Sequence, residues 1–305
     1  MLTVSDYCRK TFGRKLWKAA LDGGFTCPNR DGRVGYDGCL FCSARGSGDY
    51  AGDRRESIRD QLEKEKRRIK SKLEKEGKSL TSPAFIAYFQ PFTNTYGPIE
   101  RLREAYEEAL ADPEVALLSI ATRPDCLGKE VLALLSEIDQ KKPVWVELGL
   151  QTIHEETAAL IRRGYALPVY DEAVKALHAI GISQVITHLI FGLPGESEEM
   201  MLSSVRHVAE IGTDGVKLQN LQVLDGTDLA RVYEAGTFDV LTQEAYIDLV
   251  AKALALLPEN TVVHRITGDP PKDLLIAPKW CTDKKKVMNG VWKRVREESS
   301  RITLL

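Results

Sequence analysis

Cys27, Cys39 and Cys42 stand in a Cys-x11-Cys-x2-Cys pattern within Cys27-Pro-Asn-Arg-Asp-Gly-Arg-Val-Gly-Tyr-Asp-Gly-Cys39-Leu-Phe-Cys42, a segment dense in Gly, Asn and Asp. Glycines tolerate the backbone dihedrals that wrapping a loop demands, so such a segment can bend several sulfurs toward one centre. Thiolates are soft ligands suited to zinc or to iron–sulfur clusters. In one reading the three cysteines and a fourth ligand, such as Cys8 or a histidine, close a tetrahedron around a structural zinc ion. In the other they hold three irons of a [4Fe–4S] cluster and leave the fourth iron open to a small-molecule ligand, whereas a cluster used only for electron transfer normally takes four protein ligands. Against zinc, no second Cys-x2-Cys occurs, and a predicted strand separates Cys8 from the loop. Cys126 and Cys281 read as small buried residues.

These cysteines need a scaffold, and the rest of the chain spells one out. From about residue 84 a β-branched or aromatic run, a turn and an amphipathic stretch repeat with the period of βα units. Strands are predicted at 16–21, 84–89, 115–122, 144–150, 184–192 and 215–224, and helices at 98–111, 127–140, 154–163, 169–180 and 197–211. Strands alternating with helices imply a parallel sheet with right-handed crossovers, hence α/β. A doubly wound sheet and a partial TIM-type barrel share this rhythm. Polar residues at the carboxyl ends of nearly every strand favour the barrel, whose chemistry sits at that rim: Gln90 and Asn94, Thr122 and Arg123, Glu147 and Gln151, His188, Gln219 and Gln222. The expected architecture is a partial (β/α)6 TIM-type barrel over residues 1–225, with a charged helical insertion at 52–80, followed by a helical and strand extension over 226–305. The segment 54–78 reads as a solvated helix, 242–257 as a helix, 261–267 as a strand, and 279–301 as a basic helix that includes Arg301.

The chain has 305 residues, 43% hydrophobic and 28% charged, with 42 Lys plus Arg against 44 Asp plus Glu and a net charge of -2. That length can bury a core without disulfide staples. The charge balance excludes a uniformly basic nucleic-acid coat, so any polyanion site is a local patch. No apolar run approaches the length that spans a bilayer, and the first residues lack the apolar stretch of a secretory signal. The expected address is the cytoplasm, where six cysteines stay thiols.

Several further stretches run along nearly the whole chain: Leu21-Asp22-Gly23-Gly24-Phe25-Thr26, Ala87-Tyr88-Phe89-Gln90, Thr93-Asn94-Thr95-Tyr96, Thr122-Arg123-Pro124-Asp125-Cys126, Glu147-Leu148-Gly149-Leu150-Gln151, Gly192-Leu193-Pro194-Gly195-Glu196 and His264-Arg265-Ile266-Thr267-Gly268-Asp269. With the cysteines, they resemble radical S-adenosylmethionine (SAM) enzymes of the Elongator-catalytic-subunit-like branch, YhcC/YtqA type. The Cys-x11-Cys gap departs from the commoner Cys-x3-Cys-x2-Cys, and this branch is similar in having the longer gap.

The resemblance implies that Cys27, Cys39 and Cys42 ligate the cluster, with SAM on the remaining iron and Phe41 near its adenine. Reductive cleavage of SAM then gives a 5′-deoxyadenosyl radical that takes a hydrogen from the substrate. It places Gln90 and Asn94 at the SAM amino group, where turn capping is the alternative. Glu147, Gln151 and Arg163 suit the ribose and methionine carboxylate, with a local salt bridge as the alternative. Arg123 and His188 join the cofactor site, with a strand stop and a barrel-lining histidine as their structural alternatives. The implied substrate is tRNA, whose wobble uridine would have its C5 carboxymethylaminomethyl side chain turned into aminomethyl. Partners would be tRNA, contacted through the basic stretches 64–78 and 279–301, and an electron donor such as flavodoxin or ferredoxin, with the protein a monomer or weak dimer. A radical SAM enzyme on a small molecule or protein, and a zinc-stabilised binding module, are the competing readings.

Overall fold

A parallel sheet covered by helices buries its strands on both faces, so strands there need long apolar or β-branched runs. The chain opens on β1 (Leu2–Thr3) and α1 (Val4–Phe12), then β2 (Trp17–Leu21), α2 (Ile58–Lys75), β3 (Phe85–Phe89), α3 (Ile99–Leu110) and β4 (Val115–Thr122). It continues with α4 (Lys129–Lys141), β5 (Val144–Gln151), α5 (Glu155–Leu160), α6 (Leu167–Ala179), β6 (Gln184–Phe191), α7 (Glu198–Glu210) and β7 (Gly215–Asn220). Last come β8 (Val223–Leu224), α8 (Asp228–Glu234), α9 (Gln243–Leu256), β9 (Val262–Arg265), β10 (Leu275–Ala277) and α10 (Lys284–Ile302). This computed structural model describes residues 2–80, 82 and 84–302; the side chains of 298–302, Arg301 of the basic tail among them, lie outside the description.

Eight parallel strands in the order β1-β9-β7-β6-β5-β4-β3-β2 form a sheet curled into a partial barrel. Helices α3, α4, α6, α7 and α9 cover its outer face. Alternate strand residues such as Ala87, Phe89, Leu118, Ile120, Val146, Leu148, Val185 and Leu189 meet Leu102, Leu135, Tyr170, Val205 and Tyr246 there in the main apolar core. The opposite set of alternate residues faces inward. Its lowest layer is apolar: Ile86, Leu117, Trp145 and Ile186, closed from below by Cys8 of α1 and by Leu16. Tyr7 meets the Trp145 ring edge-on at 5.8 Å.

Three expectations change. The sheet has eight strands because β1 and β9 extend it beyond β7, Val262 and Val263 pairing with both Leu2 and Thr3 and with Gly215 and Val216. The run predicted at 215–224 breaks after Asn220, whose side chain donates to Leu221 O (3.1 Å) and accepts from Gly268 N (3.1 Å). Beyond it, β8 pairs with β10 in a separate antiparallel ribbon. The charged helix α2 is the crossover between β2 and β3, and only one face is solvated. It buries Ile58, Leu62, Ile69 and Leu73 together with Lys66, whose Nζ meets Asp112 at 2.5 Å and Glu114 at 2.8 Å. Gln61 of α2 accepts from Asp22 N (2.8 Å) and donates to Asp22 O (3.0 Å), fixing the start of the cysteine loop.

Candidate functional site

The loop after β2 carries the three cysteines over the carboxyl ends of the strands. Arg30 ties it to itself, donating to Cys42 O at 3.2 Å and Ser43 O at 2.7 Å. Asn29 ties it to the turn after α5, donating to Arg162 O at 2.7 Å, while Leu40 N donates to Ile161 O at 3.1 Å. The predicted helix 154–163 stops early to make that turn, with Arg162 at φ 58° and Gly164 at φ 79°. A Cβ on Gly164 would lie 2.6 Å from Val34 Cγ1 and 2.9 Å from Asn29 Oδ1, so glycine permits the close approach of the two loops.

Cys27, Cys39 and Cys42 line one cavity of about 850 Å³ at the strand ends. Burial pushes the Cys39 thiol up to about 12, with neighbouring Cys42 adding to it and Arg123 opposing it; burial likewise raises Cys42. Metal ligation supplies the positive charge that such sulfurs need to become thiolates. Among the described residues no three His, Cys, Asp or Glu side chains are arranged to hold a single ion. Cys8, the candidate fourth zinc ligand, is sealed in the apolar plug under the barrel. Three cysteines at one cavity, with Cys8 out of reach as a fourth ligand, fit a cluster that keeps one position for a small-molecule ligand better than a closed tetrahedron. Thr93 lines the same cavity, and its buried Oγ1 has no partner, which fits a ligand that brings its own hydrogen-bonding group.

The structure brings most of the candidate residues to this cavity. Phe41, Gln90, Arg123, Glu147, Gln151, Arg163 and His188 all line it. Gln90 donates to Ser47 O of the cysteine loop at 2.7 Å. Arg123 grips Asp125 through Nε and Nη2 (2.9 and 2.8 Å) and donates to Arg163 O at 2.8 Å. Arg163 spends its donors on Tyr165 O (2.9 Å), Thr152 O (2.5 Å) and Glu155 (3.1 Å), so it holds the loops around the cavity. Asn94 serves the turn-capping alternative through its amide nitrogen, while its buried Oδ1 has no partner among the described residues. The residue is buried away from the cavity lining, and its amide donates to the carbonyls of Phe89, Pro91 and Ala121 at 3.1, 3.0 and 2.9 Å, shaping the turn after β3.

Glu147 sits at the cavity base with five donors on its carboxylate: Lys18 (2.7 Å), Ser119 (2.8 Å), Tyr88 (3.0 Å), His188 (2.8 Å) and Lys217. Burial works against its charge, but Lys18, Lys217 and His188 outweigh it and hold the carboxyl well below the usual range. His188 is lowered to about 4 by burial and by Lys217, so at neutral pH it is uncharged and donates to Glu147 through Nε2. Lys217 is held well below the ordinary ammonium value by burial, against the pull of Glu147. Lys18, Tyr88, Lys217 and Arg265 were not among the sequence candidates. Their signal was available: a cation inside the apolar run of a parallel strand, as in Trp17-Lys18-Ala19 and Val216-Lys217-Leu218, has an apolar environment to justify.

Comparison with known proteins agrees with this geometry. The model of the radical SAM superfamily matches residues 26–208, and that of the radical SAM C-terminal domain matches 213–297. The chain is 45% identical to YtqA of Bacillus subtilis over 298 residues, covering 98% of this chain and 90% of that protein. It is 31% identical over 186 residues to the tRNA uridine(34) acetyltransferase of Methanocaldococcus infernus, covering 58% of this chain and 34% of that one. Among solved structures, the Elp3 of the same archaeon, lacking its N-terminus, superposes with a TM-score of 0.66 at 21% identity, covering 93% of this chain and 63% of that chain, a likeness of fold. The thiol-lined cavity at the rim of the partial barrel and these matches lead to one assignment: the chain belongs to the radical SAM superfamily of enzymes, YhcC/YtqA type.

Proposed function

We propose that this radical SAM enzyme acts on the wobble uridine of tRNA, converting a carboxymethylaminomethyl group at C5 into aminomethyl; the methylene next to the carboxylate would give up a hydrogen atom to the SAM-derived radical and one electron to the oxidised cluster, and water would then split the C–N bond to release glyoxylate. The observation that carries the reading is a set of unsatisfied amides. The side-chain amides of Gln219 and Gln222 line the cavity, half-buried, and make no hydrogen bond to any described residue. A carboxamide offers a donor and an acceptor side by side, the complement of the imide edge of uracil. Aromatic residues stand exposed on the cysteine loop, Tyr36 at 78% and Tyr50 at 53%, with Arg33 and Arg45 exposed beside them. Such groups stack on unpaired bases and meet phosphates, as anticodon-loop recognition requires. Lys285 and Lys286 of α10 add exposed cations, whereas much of the positive charge on α2 is already matched by Glu56, Glu63, Glu65 and Glu114. The relative named for uridine 34 of tRNA points the same way.

In this reading Cys27, Cys39 and Cys42 hold a [4Fe–4S] cluster, and Phe41, Gln90, Arg123, Gln151, Arg163 and Thr93 surround SAM. When bound, the cluster and SAM supply the one-electron chemistry, fed by a small carrier such as flavodoxin or ferredoxin. The chain's own part is to hold the base against the cavity wall and keep stray hydrogen donors from the reacting carbon. The deciding experiment incubates the anaerobically reconstituted, reduced protein with SAM and tRNA from cells lacking it, followed by nucleoside analysis. Loss of the carboxymethyl group from the wobble uridine together with release of 5′-deoxyadenosine is expected. SAM cleavage with an unchanged wobble nucleoside would defeat the RNA assignment and favour a small molecule or protein as substrate.

A further inference from the structure

The base of the cavity holds more positive charge than its own anion accounts for. Glu147 faces Lys18, Lys217 and, one strand further on, Arg265, while His188 is uncharged. Asp269 at the cavity rim is taken by Lys284 at 3.0 Å. Lys217 and Arg265 are register partners on the parallel strands β7 and β9, and both line the cavity. Like charges side by side in a sheet destabilise it. Glu147 answers for Lys217 and for Lys18, which reaches it from outside the cavity lining. The half-buried guanidinium of Arg265 makes no hydrogen bond or ion pair with any described residue.

A guanidinium carries five donors in a fork that matches the two oxygens of a carboxylate, and the adjacent ammonium adds a point charge. We infer that Lys217 and Arg265 form an anion subsite at the base of the cavity that takes a carboxylate of the substrate. Its depth selects the group. Lys217 lies two residues before Gln219 on the same face of β7, one layer further into the barrel. An RNA phosphate is tied to the backbone at the rim, whereas a carboxylate at the tip of a base side chain leads the way in. With the uracil edge at Gln219 and Gln222, the carboxymethyl end of the side chain reaches Arg265. The ligand's identity rests on the RNA reading above; the site itself rests on the unmatched charge.

SAM also carries a carboxylate, so the test separates the two sources. Binding to the cluster-loaded protein is measured for two anticodon stem-loops, one with carboxymethylaminomethyluridine and one with aminomethyluridine at the wobble position, for the wild type, Arg265→Gln and Arg265→Lys. The wild type should favour the acidic loop by about tenfold to a hundredfold, the range of a charge-assisted hydrogen-bonded pair. Arg265→Gln should abolish the preference and Arg265→Lys should keep part of it. Equal affinity of the wild type for both loops overturns the subsite while leaving the RNA reading intact. If Arg265→Gln weakens SAM but not decarboxylated SAM, the methionine carboxylate is the ligand and the substrate assignment is overturned. A third arm uses no RNA: the thermal stability of the loaded protein in N-methylglycine against N-methylglycinamide. Stabilisation by the acid alone that disappears in Arg265→Gln supports the subsite even if neither loop binds, and its absence there overturns it.

Discussion

Replacing Glu147 by Gln tests whether the polar layer inside the barrel is held together by one charge. The side chain is fully buried and its carboxylate is saturated by Lys18, Ser119, Tyr88, His188 and Lys217. Glutamine keeps the shape but leaves the cations uncompensated. Lys18 is 27% exposed in its side chain and regains water, so its share of the loss is small, about 0–1 kcal/mol. Lys217, at 5%, has no such escape, and a buried charge stripped of its partner costs about 3–5 kcal/mol. The alternative open to Lys217 is to release its proton, which at pH 7 costs about 5 kcal/mol relative to the unfolded chain and at pH 9 about 2 kcal/mol. Burial already depresses Lys217 in the folded protein, and removing Glu147 lowers it further. The folded variant then binds fewer protons than its unfolded chain, so its stability climbs with pH through that window; the wild type climbs over less of it, because Glu147 keeps its Lys217 charged to higher pH, and the deficit shrinks. Urea unfolding of the cluster-free protein should show a loss of about 3–5 kcal/mol at pH 7 that falls to about 2 kcal/mol or less at pH 9. Adding Lys217→Met should recover much of the loss at pH 7. A deficit below about 1 kcal/mol at pH 7, or one of equal size at both pH values, refutes an ionised Glu147–Lys217 pair.

Four other substitutions probe the frame of the site. Gly164→Ala drives a Cβ into Val34 and Asn29 at a backbone φ of 79°, so it should cost about 1–3 kcal/mol and lower the iron retained after reconstitution; full iron content and unchanged stability would count against the docked-loop account. Asn94→Ala strips donors from three buried carbonyls, and the urea midpoint should report a loss of about 2–4 kcal/mol. A loss under about 0.5 kcal/mol would mean the turn does not depend on that amide. Cys39→Ala should abolish iron and sulfide incorporation, whereas Cys8→Ala, under the barrel, should leave both intact at a cost of about 1 kcal/mol. Iron lost equally from both variants would reinstate Cys8 as a ligand.

The three-cysteine loop and most of the barrel were legible in the chain itself because both are encoded by near neighbours. Three cysteines on one glycine-bent loop are confined to one neighbourhood by chain length. The run at 115–122 contains only residues that suit a strand buried on two faces, and it forms β4 over that span. Where expectation and structure parted, a distant partner decided. The run at 215–224 stops at Asn220 because Gly268 supplies that side chain with a donor. The charged segment at 54–78 buries one face because β2 and α3 lie beneath it, and Lys66 finds Asp112 and Glu114 there.

What only the tertiary structure decided is the company each polar side chain keeps. Asn94 had a turn and a ligand within its repertoire, and the carbonyl of Ala121, on the neighbouring strand, helps claim it for the turn. Lys18, Glu147 and Lys217 come from β2, β5 and β7, separated by 129 and 70 residues, and meet only because the parallel register of a curled sheet aims them at one point. Charge pairing depends on distance and burial rather than on sequence separation. A linear reading can therefore name the cation in a strand, while the folded sheet determines whether an anion waits beside it, as for Lys217, or none does among the described residues, as for Arg265.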